Sequence, residues 1–217
     1  MENVYYHGTL DEWSQISFSN SNSDPMHYAS HFYILSNDNE WLELTELKIK
    51  DDVTSIKDYE YESYELLQSV NIPEGVTRIG YYSFAHCVNL TKVELPSSIK
   101  TIEYEAFYNC ESLDSVYYHG TFEQWLNINF SSMWSNPMSS AEHFYMKDSN
   151  NEWYEVTNFV VPESVSIIKN FNVYGFENLT TVTLHSKIEE IEYHAFEESS
   201  NITNLYYNGT IEDLFTV

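Results

Sequence analysis

The chain has 217 residues and a formal net charge of −25, from 9 Lys and Arg against 34 Asp and Glu. This charge argues against nucleic acid or an anionic membrane surface as partner, because both need a basic face. No run approaches the ~20 consecutive apolar residues that cross a membrane, and no signal peptide precedes the first repeat. The composition, 42% hydrophobic and 20% charged, is that of a chain that folds.

A short repeat with a period of 23 accounts for much of the chain. Truncated copies begin at Leu113 and Ile202. A looser copy occupies 44–66, and the full copies are 67–89, 90–112, 156–178 and 179–201. A unit this short cannot bury its own apolar edge, so successive units are expected to stack into one continuous core.

Each unit begins with an alternation of apolar and polar residues. In the second copy Val70 and Ile72 alternate with polar neighbours, which predicts a half-buried strand. Pro73 is expected to end this strand, because proline cannot donate to the ladder. The rest of the unit has no clean period and predicts an irregular return with a short extended piece near Ile79.

A longer duplication is superimposed on this repeat. Residues 4–47 align without a gap to 116–159, at an offset of 112, and a third copy starts at Leu205. In both copies a Gly-Thr pair precedes an insert, at about 9–43 and 121–155. Each insert predicts a helix capped by Thr9 or Thr121, a Pro-Met loop and a β-hairpin, and has roughly the size of one more coil.

The pattern L-x-x-V-x-[IL]-P-x-x-[VI]-x-x-I-x-x-x-[SA]-F-x-x-C, at 67–87 and 90–110, resembles the BspA-like (Treponema-type) leucine-rich repeats. The YYxGTxxxW element with its downstream NPM and HFY, at 117–145, is similar to inserts in such proteins. The resemblance implies an α/β repeat solenoid, right-handed and β-dominated, with a concave parallel sheet and short helix and hairpin inserts. It also implies a cell-surface or secreted protein, usually an adhesin or host-interaction module, and it does not imply a catalytic activity.

Residues 1–217 are therefore interpreted as a single solenoid, and as a fragment of a longer chain because both ends fall in mid-unit. The expected location is extracellular or at the cell surface, with the signal peptide outside this fragment. The chain is expected to be a monomer.

The outward polar positions of the strands form a stripe on the concave face, the usual binding surface of a solenoid. Tyr117 and Tyr206 are its expected aromatic anchors, since exposed tyrosine supplies contact area at low entropic cost. The predicted binding residues are Glu46, Lys48, Ser69, Asn71, Lys92, Glu94, Ser115, Tyr117, Asn158, Thr181, Thr183, Asn204 and Tyr206. The protruding inserts are the alternative binding surface.

Other candidate sites are assigned structural roles. Cys87 and Cys110 occupy equivalent slots and are interpreted as buried small hydrophobes, with a disulfide or a reactive thiol beside His86 as the alternative. No cofactor and no metal ion is expected. The histidines that could suggest a metal site are His7, His119, His31 and His143, and the Asn/Asp-rich segments that hint at calcium, 36–40 and 148–152, are better explained as hairpin turns.

The sequence therefore predicts a non-catalytic adhesion or interaction module with a protein or glycan ligand. No nucleophile elbow, phosphate-binding glycine loop or H-E-x-x-H motif occurs. The alternatives are a structural stalk that carries other domains, and a carbohydrate-binding accessory module suggested by the many aromatic residues.

Overall fold

The computed structural model describes residues 1–36 and 38–210. The chain forms a β-solenoid in which each complete regular coil contributes one strand to a main parallel sheet and a second, two-residue strand to a smaller sheet. The strands are β1 (Asn3–Tyr6), β2 (His31–Leu35), β3 (Trp41–Glu43), β4 (Glu46–Lys48), β5 (Ser55–Ile56), β6 (Ser69–Asn71), β7 (Arg78–Ile79), β8 (Lys92–Leu95), β9 (Thr101–Ile102), β10 (Ser115–Tyr118), β11 (Asn129–Phe130), β12 (His143–Lys147), β13 (Trp153–Glu155), β14 (Asn158–Val160), β15 (Ile167–Ile168), β16 (Thr181–His185), β17 (Glu190–Ile191) and β18 (Asn204–Asn208). This confirms the predicted repeat solenoid.

The main sheet is divided into three parts. Strands β13-β12-β10-β8-β6-β4 form one sheet, β1-β2-β3 a second and β14-β16-β18 a third. The divisions follow the hairpins, because β3 and β13 run antiparallel to β2 and β12 and lie at the sheet edges. The short strands form two further parallel sheets, β11-β9-β7-β5 and β15-β17.

The inserts are extra coils of the solenoid. Each helix, α1 (Leu10–Ser14) and α2 (Phe122–Leu126), starts with a capping box on the predicted threonine. Ser115 pairs with Lys92 on one side and with His143 on the other, so the inserted coil is longer than the regular coil before it. Two short 3-10 helices per insert lie in the predicted Pro-Met loops, at Ser21–Ser23, Pro25–Tyr28, Met133–Ser135 and Pro137–Ser139.

Equivalent apolar residues stack from coil to coil. The rings of Phe84 and Phe107 are parallel with centroids 5.5 Å apart, and Tyr61 extends the stack at 5.4 Å from Phe84. Cys87 and Cys110 are free and fully buried, and each donates a hydrogen bond to a backbone carbonyl. Burial raises the pKa of the Cys110 thiol to about 12. The interpretation of these cysteines as small buried hydrophobes is confirmed.

The Tyr-Tyr-x-Gly motif has a steric cause. The second tyrosine turns into the core, and Tyr118 is fully buried. Its ring covers Gly120, where an added Cβ would lie 2.5 Å from the Tyr118 Cζ. Glycine is needed here for close approach to a ring.

We expect Gly120→Ala to lower the free energy of unfolding by about 1–3 kcal/mol, the usual cost of overpacking. Urea denaturation of the single variant and of the same change in a Tyr118→Leu background measures the effect. Because the new methyl group meets the phenol ring, the cost should shrink when the ring is removed. An equal cost in both backgrounds would show that the ring is not the cause.

Candidate functional site

The six-stranded sheet presents eight of the predicted binding residues on one surface. They form two rows across β4, β6, β8 and β10, one residue per strand in each row, and none of them is buried. The first row is Glu46, Ser69, Lys92 and Ser115, and the second is Lys48, Asn71, Glu94 and Tyr117. We call the solvent side of β4, β6, β8, β10 and β12 the sheet face.

A shallow groove of about 310 Å³ follows these rows. Carboxylates, amines, an amide and a hydroxyl line it, so donors and acceptors of both charge signs are close together. The polar residues of the groove are Glu46, Lys48, Ser69, Asn71, Lys92 and Glu94. The structure thus brings together six of the predicted binding residues.

Glu94 is held in place at the centre of the sheet face. Lys92 Nζ lies 2.6 Å from Glu94 Oε1, and His119 Nε2 lies 3.3 Å from Glu94 Oε2. Burial raises the pKa of Glu94, but the hydrogen bonds from Lys92 and His119 outweigh it, so that the pKa is below its ordinary value. Glu94 is therefore ionised at neutral pH and oriented by two donors.

Tyr117 belongs to an aromatic group that we call the Trp153 cluster, made of Tyr117, His119, Tyr145 and Trp153. The rings of Tyr117 and Tyr145 are stacked at 4.6 Å, with an interplanar angle of 13°. Trp153 is perpendicular to Tyr117 at 5.0 Å and to His119 at 4.9 Å. The cluster lies beside the groove, because Lys92 Nζ sits 4.5 Å from the centroid of the Tyr117 ring.

The same arrangement occurs in the first copy of the duplication, in a Trp41 cluster made of Tyr5, His7, Tyr33 and Trp41. Tyr5 and Tyr33 are stacked at 4.9 Å, and Trp41 meets Tyr5 and His7 edge to face, each at 5.0 Å. Tyr5 is 52% exposed and Trp41 is 37% exposed. The duplication therefore repeats an aromatic cluster as well as the fold, and the tyrosines and tryptophan of the Trp153 cluster are partly exposed.

The other predicted residues lie on a separate sheet. The three-stranded sheet β14-β16-β18 carries Asn158, Thr181, Thr183, Asn204 and Tyr206. Tyr206 is opposite Thr183 and is 57% exposed. Because β12, β13, β14 and β16 separate the strands of Tyr206 and Tyr117, the two tyrosines do not share one surface patch.

The predicted binding residues do not include three members of the Trp153 cluster: His119, Tyr145 and Trp153. The sequence predicts the hairpin, but the prediction does not extend to which residues of its two strands lie on the same side as Tyr117. Since β10 pairs in parallel with β12 and β12 pairs with β13, the outward positions of all three strands share one side. Alternation within HFYMK and WYE was the available signal.

The histidines that open the hairpins have structural partners. His143 Nδ1 lies 2.6 Å from Glu155 Oε1, and His31 Nδ1 lies 2.5 Å from Glu43 Oε1. The hydrogen bond with Glu155 raises the pKa of His143. Both pairs join the two strands of a hairpin, as expected for structural histidines.

One group in the described part of the chain has spacing that could hold a metal ion. Single ligand atoms of Asp114, Glu142 and His143 all lie within 4.8 Å of one another. Both carboxylates are exposed. In the earlier copy Ser30 replaces Glu142, so the group is not part of the duplicated architecture.

The Asn/Asp-rich turn at 148–152 is held by hydrogen bonds between its own residues. Asp148 Oδ1 accepts hydrogen bonds from the backbone N–H groups of Asn150 and Glu152, at 2.8 and 3.0 Å. These bonds lower the pKa of Asp148. In the corresponding segment 36–40, Asn37 lies outside the described residues, and Ser36 Oγ accepts from the N–H groups of Asp38 and Glu40. Both segments are hairpin turns.

No described helix is long and apolar enough to span a membrane. No curated protein matches the chain. Several solved structures are similar, all at low identity. The leucine-rich repeat protein of Treponema pallidum is 19% identical, with 82% of this chain and 79% of that chain covered and a TM-score of 0.44.

Two further similar structures are those of longer proteins. A leucine-rich repeat protein of Bacteroides ovatus is 18% identical over 82% of this chain and 52% of its own, with a TM-score of 0.46. The pneumococcal vaccine antigen PcpA is 14% identical over 84% of this chain and 51% of its own, with a TM-score of 0.47. The chain spans about half the length of these two structures.

The family model for the BspA-type leucine-rich repeat region matches six copies, at residues 33–152 and 144–216. The match covers most of the solenoid and includes both the regular coils and the second insert. The chain therefore belongs to the BspA-type leucine-rich repeat family.

Proposed function

We propose that the chain is a non-catalytic interaction module of a bacterial surface protein, and that its ligand binds the sheet face. The family is typical of bacterial surface proteins and is generally non-catalytic. The observation that carries the proposal is the Trp153 cluster beside the polar groove, on the same side of one sheet. Partly exposed aromatic residues next to oriented charges are typical of a binding hot spot.

The proposed ligand is a protein or glycan outside the cell, and the module acts as a monomer. Tyr117 contributes contact area, and Glu94 and Lys92 orient the ligand through charge-assisted hydrogen bonds. Neither group needs to move, because the stacked rings and the ion pair are already formed. Pre-formed groups lose little conformational entropy on binding.

We expect Tyr117→Ala to weaken adhesion of the chain to its target cells by about tenfold or more, since a hot-spot truncation costs at least about 1.4 kcal/mol. Beads coated with the chain and added to cultured epithelial cells can be counted by flow cytometry. Tyr154→Ala is the matched control, because Tyr154 is 40% exposed but alternates to the other side of β13.

The outcome that contradicts the proposal is adhesion that is unchanged by Tyr117→Ala and Glu94→Gln together. Coated beads that do not adhere at all favour the stalk alternative. Loss of adhesion in the Tyr154→Ala control alone would move the binding surface to the other side of the hairpin.

A further inference from the structure

Both faces of the Tyr117 ring are occupied from within the chain. Tyr145 is stacked on one face at 4.6 Å, and Lys92 Nζ sits over the ring at 4.5 Å. Trp153 is nearly perpendicular to Tyr117, at 86°. With the two faces taken, Trp153 meets only the edge of Tyr117, and so directs a face of its own indole toward that edge.

The other neighbours of Trp153 come from the adjacent strands of the same sheet. His119 is perpendicular to the indole at 83°, and Lys147 Nζ lies over the indole ring, 5.0 Å from its centroid. Tyr117 lies on β10, His119 directly follows β10 and Lys147 lies on β12, and β13 is the edge strand beside them. These neighbours bury the indole of Trp153 in part and leave the rest of it exposed to solvent.

Trp41 has the same disposition. It meets Tyr5 and His7 edge to face, while Tyr33 is stacked on Tyr5. Leu35 stands where the later copy has Lys147. Two indoles with solvent-exposed surface, one in each copy of the duplication, are thus held by the same set of supporting rings.

We propose that Trp153 and Trp41 are stacking platforms for the pyranose rings of a neutral polysaccharide. This rests on the proposed function and gives its ligand a chemical class. One side of a pyranose ring presents C–H groups with slight positive charge, which are attracted to the negative face of an aromatic ring. A flat, rigid indole fits that side at low entropic cost.

The groups around Trp153 favour a neutral ligand rich in hydroxyl groups. Glu94 provides carboxylate acceptors, and Lys92 and Lys147 provide donors, all close to the cluster. Mixed charges of this kind suit paired hydroxyls, each of which donates and accepts. The net charge of −25 disfavours an acidic polymer.

The repetition of the platform favours a polymer of repeating units. Once one platform holds a polysaccharide, the second binds the same chain at a high effective concentration. Two weak sites then give retention that neither gives alone. This explains why the duplication keeps Trp41 and Trp153 together with their supporting tyrosines.

Affinity gel electrophoresis tests the proposal, with the chain run through gels that contain β-glucan, xylan, galactomannan or soluble starch, and heparin as an acidic polymer. We expect at least one neutral polysaccharide to retard the chain. Trp153→Ala should weaken this retardation about tenfold or more, Trp41→Ala should weaken it less, and the double variant should abolish it. Tyr154→Ala, on the opposite side of the same strand, should leave it unchanged.

Far-UV circular dichroism of each variant shows whether the hairpin is still folded, and Trp153→Phe, which keeps an aromatic ring, should recover part of the retardation. No retardation by any of the four neutral polymers, retardation by heparin only, or retardation that Trp153→Ala does not change would each overturn the proposal. Cell adhesion that depends on Tyr117 without retardation in any gel would overturn this inference and leave the proposed function standing.

Discussion

Asp24→Asn should stabilise the first part of the solenoid at pH 8. Asp24 is 1% exposed and caps the 3-10 helix at Pro25–Tyr28, where its Oδ1 accepts from the Met26 N–H at 2.8 Å. Its Oδ2 is buried without a hydrogen-bond partner. A buried carboxylate with one unsatisfied oxygen is costly, because ionisation requires solvation that the core does not supply.

The pH dependence follows from the pKa of Asp24. Burial, together with the negative charge of Glu62, raises it from 3.8 to about 7 against the opposing effect of the hydrogen bond from the Met26 N–H. The folded chain binds more protons than the unfolded chain between these two values, so stability falls as the pH rises from about 4 to about 7. A pKa difference of about 3 corresponds to about 4 kcal/mol, the upper bound for the gain from asparagine at pH 8.

In the second copy of the duplication, an asparagine stands at the position of this aspartate. Asn136 is the equivalent of Asp24, and its Oδ1 accepts from the Met138 N–H while its Nδ2 donates to the Phe171 carbonyl at 2.7 Å. We expect Asn136→Asp to destabilise the chain by about 2–4 kcal/mol at pH 8, because it removes a donor and buries a charge. At pH 5 the introduced carboxyl group is protonated and can donate again, so the cost should be smaller.

Urea denaturation at pH 5 and pH 8 measures both substitutions, with Asp51→Asn as the control for loss of one exposed charge. Hydrogen exchange locates each effect in its own copy. If Asp24→Asn leaves the pH dependence of unfolding unchanged, the buried carboxyl is not its source.

The repeat made most of the architecture predictable. The period of the repeat places Val70, Val93 and Val116 in register, and the structure pairs these residues across β6, β8 and β10. Their neighbours alternate in burial as the period of two requires. Stacking of equivalent side chains leaves little freedom once the period is known, which is why the strands, the capping threonines and the buried cysteines could be predicted.

The irregular return of each coil and its short strand near Ile79 were predicted. The backbone conformation within the return could not be predicted, because it does not follow residue type. Tyr59, Tyr82 and Glu105, at equivalent positions, have φ between 54° and 62°. Such left-handed conformations favour glycine or asparagine, and tyrosine and glutamate give no sequence signal for them. Hydrogen bonds between coils hold these residues, as when Tyr59 N donates to Tyr81 O at 2.8 Å.

The candidate site depends on pairings between distant segments. Tyr117 and Trp153 are far apart in the sequence, and they meet only because the insert adds a strand and then turns back. The short period ends at the insert, so it predicts nothing about that turn. The longer duplication indicated that both copies of the insert fold alike, without indicating which of their aromatic residues meet.

Trp125→Ala should have the largest effect on stability of any single change in the second insert. Trp125 lies on α2, is fully buried, and donates from Nε1 to the Asn172 carbonyl at 2.7 Å. Four rings surround the indole with centroids 4.6 to 5.9 Å away, those of Tyr118, Phe130, Phe144 and Phe176. We expect a loss of about 3–5 kcal/mol, from the cavity and the lost contacts together.

The position of Trp125 means that its loss should change how the coils unfold as well as lower the free energy of unfolding. Its ring neighbours come from β10, from the insert itself and from the following coil, so the indole joins the inserted coil to the coil that follows it. In a solenoid each coil is stabilised by its neighbours. Loss of this interface therefore lets two blocks unfold separately, the coils before the interface and the coils after it.

We expect urea denaturation of Trp125→Ala to show two transitions, with hydrogen exchange fastest in 115–156. Trp134→Ala is the control, since Trp134 in the same insert is only partly buried and contacts Tyr108. A single transition shifted no further than that of the control would show that the indole does not couple the blocks.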